Sequence, residues 1–254
     1  MGRGISDDTR RKNGRGLGSK DTWIPWVHVH DFGGRGRKHH IPSQVFNRTR
    51  HALSQIETNL IYVVEMAENI SDSREQYPLN LSETKLIASQ LKINHPISPD
   101  GKSEVMTTDL FIDYKDHTQR AVAVKSSSDL GDKRVIEKLQ IEREYWKLKG
   151  VTWSIITERD FPENLIYNLR TLRAYFQTKD DLSGVFYDKL KQLESKDDIL
   201  SKVIGAISKE LRIPSGRGLE IFKHLCSRKL IKFDYYRPFS TKMHLYEFIF
   251  PSSL

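Results

Sequence analysis

Residues Val105-Met106-Thr107-Thr108-Asp109-Leu110-Phe111-Ile112-Asp113-Tyr114 alternate, with Met106, Thr108, Leu110 and Ile112 on one side and Thr107, Asp109, Phe111 and Asp113 on the other. A period of two is the period of a strand. The polar turn Lys115-Asp116-His117-Thr118 returns the chain and Arg120 to Lys125 reads as a second strand, so the two predict a hairpin. Working outward, Asp132 to Lys149 predicts a helix with Val135, Leu139 and Trp146 on one face, and Gly150 stands where a C-terminal cap is expected. Val151 to Thr157 follows as an apolar strand. Upstream, Leu53, Ile56, Leu60, Ile61 and Val64 make the apolar stripe of a helix over residues 50–67, and Gln76 to Leu79 is extended. Helix, strands, helix, strand is the order of an α/β core, expected over residues 50–163.

From Asn164 the pattern is mostly helical, with Pro214-Ser215-Gly216-Arg217-Gly218 read as a break before a helix at 219–228. Strand-like Leu230 to Tyr236 and His244 to Phe250 would complete a helical, winged-helix-like domain over residues 164–254. A DNA reading puts Lys223, His224 and Arg228 in a groove; the alternative is a protein-docking domain. A chain of 254 residues is long enough for two such domains.

The net charge of +8 suits a polyanionic partner, and residues 1–50 hold 11 lysines and arginines against 4 acidic residues. Residues 1–49 are therefore expected to form a basic, DNA-contacting segment. Residues 1–20 are polar and glycine-rich, predicting disorder until bound, with a solubility tail as the alternative. Thr22 to His30 alternates as a strand would. Gly33 to His40 is a basic glycine loop, in which backbone amides approach phosphate and arginine supplies charge. The candidate phosphate contacts are Arg15, Lys20, Arg35, Arg37 and Lys38.

No apolar stretch approaches the roughly 18–20 residues of a membrane span, and no signal-peptide core opens the chain, so a cytoplasmic protein is expected. Met1 to Ser6 fits a myristoylation pattern, a short match that chance often supplies. Cys226 is the single cysteine and reads as a buried thiol without chemistry. His28 with His30, and His39 with His40, invite a zinc reading; the alternative is a structural or phosphate-contacting role.

Glu57 and Glu142 carry the chemical signal. Glu57 lies between Leu53 and Leu60 in the first helix, and Glu142 between Val135 and Trp146 in the second. A carboxylate on an inward face is unfavourable unless something cationic meets it. Asp109 and Lys125 stand on the two strands of the hairpin, 16 residues apart, and can reach one end of the sheet. Carboxylates and a lysine so placed suit metal-assisted phosphodiester hydrolysis, where oxygen ligands hold Mg²⁺ and lysine adds a cationic contact. A solvated ion pair is the alternative for any one of them taken alone.

Several stretches, in order, resemble the TnsA endonuclease subunits of heteromeric cut-and-paste transposases. They are Arg15 to Gly18 with Ile24-Pro25-Trp26; Leu53 to Glu57; Arg74 to Leu79; Met106 to Asp109; Val124-Lys125; and Glu137 to Trp146, with a weaker echo at Leu230 to Phe233. The resemblance implies a restriction-endonuclease-like core that cuts the strands at the 5′ ends of a transposon in double-stranded DNA. It implies Glu57, Asp109 and Lys125 as catalytic positions, and Glu57, Asp109, the Val124 carbonyl and Glu142 around Mg²⁺, with Mn²⁺ expected to substitute. Its partners would be the transposase TnsB and the ATPase TnsC, on the nucleoid of a bacterial cytoplasm. The family has glutamine two residues before the lysine, where this chain has Ala123. Two other functions stay open: a catalytically silent DNA-binding and assembly subunit, and a stand-alone restriction or junction-resolving nuclease.

Overall fold

The computed structural model describes residues 5–31, 38–98, 101–178, 180–193 and 195–251. They fall into two units, one ending at Phe161 and one beginning at Pro162.

The first unit is built on a four-stranded sheet. Helix α1 (Asp7–Lys12) is followed by a short hairpin of β1 (His39–Pro42) and β2 (Thr49–Ala52), and then by helix α2 (Gln55–Met66), which the Ser54 hydroxyl caps. Strand β3 (Ile70–Pro78) leads to α3 (Leu81–Gln90), capped by Asn80, and on to β4 (Thr107–Tyr114) and β5 (Gln119–Val124). Helix α4 (Lys133–Leu148) and β6 (Thr152–Ile156) close the core. The sheet order is β3-β4-β5-β6; the first three strands run antiparallel, and β6 joins β5 in parallel after the crossover through α4. Asp132 caps α4 and Gly150 ends it at a φ of +68°.

Two apolar layers flank the sheet. Leu110, Ile112, Val122 and Val124 meet Leu60 and Val64 of α2. Phe111 and Ala121 meet Ile87 of α3 and Ile141, Tyr145 and Trp146 of α4. The alternation read at β4 holds from Leu110 to Ile112, but its phase changes at Asp109: Met106 packs in the α4 layer and Thr108 bonds Glu142 of α4, opposite to the side that Leu110 and Ile112 take.

Several expectations are corrected. Residues 5–31 are ordered, and Thr22 to His30 is not a strand. Two 3₁₀ turns, Lys20–Thr22 and Val29–Asp31, flank a segment pinned by its aromatic residues. The Trp23 indole donates to the Glu75 carbonyl (3.0 Å), and the Trp26 amide donates to the Gln76 carbonyl (3.2 Å). Pro25, Trp26 and Val27 are buried in succession, which a half-exposed strand cannot do. The β1-β2 hairpin and α3 were not expected. Arg48 and Arg50, counted in the basic excess, grip the buried Glu75 instead: Arg48 offers it two nitrogens at 2.5 and 2.8 Å and Arg50 one at 3.3 Å.

The second unit consists of α5 (Glu163–Arg173), α6 (Ser183–Gln192), α7 (Leu200–Glu210) and α8 (Ser215–Ser227), followed by β7 (Lys232–Phe233) paired with β8 (Phe248–Ile249). Phe186, Leu190, Leu200, Ile221, Phe222 and Leu225 form its core. Helix α8 begins at Ser215, four residues earlier than expected, with Pro214 as its N-cap. Gly218 belongs inside it because α7 passes close: a Cβ there would stand 2.1 Å from the Ser208 Oγ and 3.0 Å from Ile204 Cγ2. The expected strands shrink to two residues each. Cys226 is fully buried, and burial pushes its thiol pKa up. Among the described residues no helix is long and apolar enough to cross a membrane.

Candidate active site

Three elements converge on Asp109. Glu75 pairs with Leu110 and Tyr77 with Thr108, so Gln76 lies opposite Asp109 across β3 and β4. Leu110 pairs with Val122, so Ala123 lies on its other side on β5. The Asp109 carboxylate takes the Val124 amide on Oδ2 at 2.7 Å, and the Lys125 ammonium reaches the same oxygen at 3.4 Å while donating to the Val124 carbonyl at 2.8 Å.

Glu57 comes from the first turn of α2. Ser54 caps that turn by accepting from the Glu57 amide at 3.1 Å, and the Leu53 amide donates back to Glu57 Oε2 at 3.0 Å. The carboxylate is thereby turned toward the sheet, where Gln76 Nε2 meets its Oε2 at 3.1 Å and Asp109 Oδ1 at 3.5 Å. Glu142, on α4, accepts from the Thr108 hydroxyl at 2.8 Å. That hydroxyl itself accepts from the Trp146 indole at 2.6 Å, which leaves its proton for Glu142.

Burial, and then the negative charge of Asp109, push both Glu57 and Glu142 up to about 7. Lys125 is raised by Asp109 above all, and further by Glu142 and Glu57. Carboxyl groups that crowd and resist ionisation together beside one lysine leave room for a cation's charge. The donors are all oxygen, as Mg²⁺ prefers. Among the described residues no three carboxylates or imidazoles are already gathered around one point. Mg²⁺ does not need that, since it keeps several waters and commonly uses one or two carboxylates with a substrate phosphate. The residues fit the ion.

A family model described as TnsA-like endonuclease N terminal matches residues 67–158, which include Gln76, Asp109, Lys125 and Glu142. The chain is also 32% identical over 237 residues to the transposon Tn7 transposition protein TnsA of Escherichia coli, covering 91% of this chain and 86% of that protein. This chain belongs to the TnsA family. As a TnsA-like endonuclease it places Glu57, Asp109, Lys125 and Glu142 at one end of one sheet, where the sequence grouped them.

The candidate phosphate contacts divide. Arg15 is corrected: its side chain is 5% exposed, its guanidinium grips Asp31 and it donates to the Trp26 carbonyl at 3.2 Å, so it braces the N-terminal segment. Lys20 is exposed and Lys38 half-buried; Arg35 and Arg37 lie outside the described residues. His28, His30, His40 and His51 cluster with ring centres 4.5–5.9 Å apart. The Val29 amide donates to His51 Nδ1 at 3.2 Å, which leaves the proton of a neutral His51 on Nε2, where a zinc ion would need a lone pair. Burial lowers His51 to about 4. The residue that sequence reasoning did not single out is Gln76, whose signal lay only in its standing opposite Asp109.

Proposed function

We propose that the chain is the endonuclease subunit of a transposase, hydrolysing the strands at the 5′ ends of a transposon in double-stranded DNA, on a restriction-endonuclease-like core. What carries the reading is the meeting of Glu57, Asp109 and Lys125 at one sheet end in a chain so similar to a transposition protein. Glu57, Asp109, the Val124 carbonyl and Glu142 would hold Mg²⁺, with Mn²⁺ expected to substitute; the bound ion supplies an activated water and positive charge against the phosphate. A carbonyl oxygen has two lone pairs, so Val124 can keep Lys125 and still face an ion. Lys125, held protonated by Asp109, gives the phosphate oxygens a donor. Lys20, Arg35, Arg37 and Lys38 would contact phosphate elsewhere on the DNA. The second unit would serve to dock a TnsB-like transposase and a TnsC-like ATPase, its two-residue strands standing as a minimal wing.

Ala123 supports a second reading, a silent assembly subunit, because it brings no side-chain ligand where the resembled family has glutamine. Labelled transposon ends, incubated with the chain, its cognate transposase, ATPase and Mg²⁺, separate the two. Nicks on the 5′-ended strand, absent with Asp109→Ala, support the nuclease. No such nicks from either protein, despite partner-catalysed 3′ cuts, support the silent subunit. If the Val124 carbonyl and water replace the missing side chain, Ala123→Gln leaves the nicking rate within about threefold; a tenfold or greater rise shows the ligand was missed.

A further inference from the structure

Gln76 is 2% exposed and takes a φ of +50° in the middle of a strand, a conformation uncommon for any residue with a Cβ. Its effect on β3 is visible in its neighbours. The Arg74 guanidinium lies 4.9 Å from the Phe111 ring centre, and the Tyr77 ring stacks on the same ring at 4.7 Å. Residues three apart in a regular strand point to opposite faces. The turn at Gln76 changes the phase of the strand, and its side chain emerges between the carboxylates. There the amide nitrogen lies 3.1 Å from Glu57 Oε2 and 3.5 Å from Asp109 Oδ1, while Oε1 accepts from the Thr107 hydroxyl at 3.2 Å. The acids settle which end of the amide faces them, since carboxylate oxygens accept and so call for the NH₂, and the Thr107 hydroxyl, able to serve either end, donates to Oε1.

The oxygens not taken up follow from these bonds. Glu57 Oε2 receives two donors, from Leu53 and Gln76, and Asp109 Oδ2 receives the Val124 amide and Lys125. Glu57 Oε1 takes neither of these donors, and Asp109 Oδ1 meets only the longer Gln76 contact.

We infer that Gln76 is a positioning residue of the metal site: its amide joins Glu57 to Asp109 and fixes which carboxylate oxygens are presented to a divalent ion. The inference rests on the metal-dependent reading proposed above. Partners that orient metal ligands typically contribute about 10–100-fold in affinity. It also bears on Ala123, because Asp109 lies between Gln76 and Ala123: the β5 backbone and Lys125 hold Oδ2, no side-chain amide comes from position 123, and Gln76 is the side-chain amide that meets Oδ1.

The test is Mn²⁺ binding to the full-length protein, followed by the loss of free-ion electron paramagnetic resonance signal, with no DNA and no turnover. Gln76→Gly adopts the positive φ freely and lacks the amide; Gln76→Met keeps the length and lacks the amide. Both are expected to raise the Mn²⁺ Kd about 10–100-fold, with melting in EDTA confirming that each is folded. If Gln76 served only the backbone, Gln76→Gly would bind Mn²⁺ as the wild type does, and that result overturns the inference. Asp109→Ala separates this failure from that of the underlying reading. Saturable wild-type binding lost in Asp109→Ala but kept in Gln76→Gly sinks the role of Gln76 alone. Wild-type binding that is absent, or unchanged by Asp109→Ala, sinks the metal reading and this inference with it.

Discussion

Glu57 and Glu142 each carry an energetic penalty that the folded protein bears near neutral pH. Their carboxyls, ordinarily near 4.5, are pushed up to about 7 in the folded chain. Below about pH 4.5 both folded and unfolded states hold the protons, so pH has no leverage through these groups. As pH rises from about 4.5 toward about 7 the unfolded chain releases protons that the folded chain keeps, and folding weakens until, near 7, the folded groups ionise too. Each contributes on the order of 2–3 kcal/mol of destabilisation at pH 8, less where the two share the repulsion of Asp109. In EDTA the thermal midpoint should therefore fall between pH 5 and pH 8 by more in the wild type than in Glu57→Gln/Glu142→Gln. Parallel profiles for the two proteins would show that neither carboxyl is strained. These two glutamates were legible in the sequence because each interrupts an apolar stripe. Gln76 was not, because neither its φ nor its reach to two carboxylates has any periodic trace; only the pairing of β3 with β4 reveals it.

At the scale of elements, the hairpin of β4 and β5, the crossover helix α4 and strand β6 were legible from alternation, caps and the glycine at 150. What failed did so for definite reasons. The N-terminal segment mimics a strand in its polar and apolar order, yet two tryptophans and the Arg15–Asp31 pair hold it irregular against β3. The start of α8 was misplaced because glycines at 216 and 218 look like a breaker, whereas Gly218 is required by the approach of α7. Gly218→Ala should accordingly destabilise the second unit by about 1–3 kcal/mol, despite alanine's better helix propensity. Urea unfolding of that unit measures it, and an unchanged or raised midpoint would mean that Ser208 and Ile204 give way freely.

The whole molecule redistributes the charge that the sequence counts. Arg10, Arg15 and Arg50 are buried and Arg48 half-buried, and each meets a carboxylate of the same unit: Asp7 for Arg10, Asp31 for Arg15, and Glu75 for Arg48 and Arg50. The surface that remains for phosphate is smaller than the +8 of the chain suggests. Lys20→Ala should reduce the slope of log affinity for duplex DNA against log salt by about 0.9, the share of one phosphate contact. Arg15→Ala should instead leave that slope unchanged and destabilise the protein by about 3–5 kcal/mol, through an unpaired buried Asp31. If the two variants exchange these effects, the division between bracing and DNA-facing cations is wrong. The division into two units was legible in the change of periodicity after residue 160; the inclusion of the N-terminal segment in the first unit was not, because it depends on contacts with β3.

The two tryptophans have a mechanical meaning as well. Trp23 and Trp26 fasten the N-terminal segment to the carbonyls of Glu75 and Gln76, neighbouring links of one strand. The side chain of the second of those links also meets Glu57 and Asp109 of the candidate active site. Tension along the segment from either end is thus delivered to the residue that spaces the acids, with two hydrogen bonds as the coupling. The segment and the residue that spaces Glu57 and Asp109 are thus mechanically one piece.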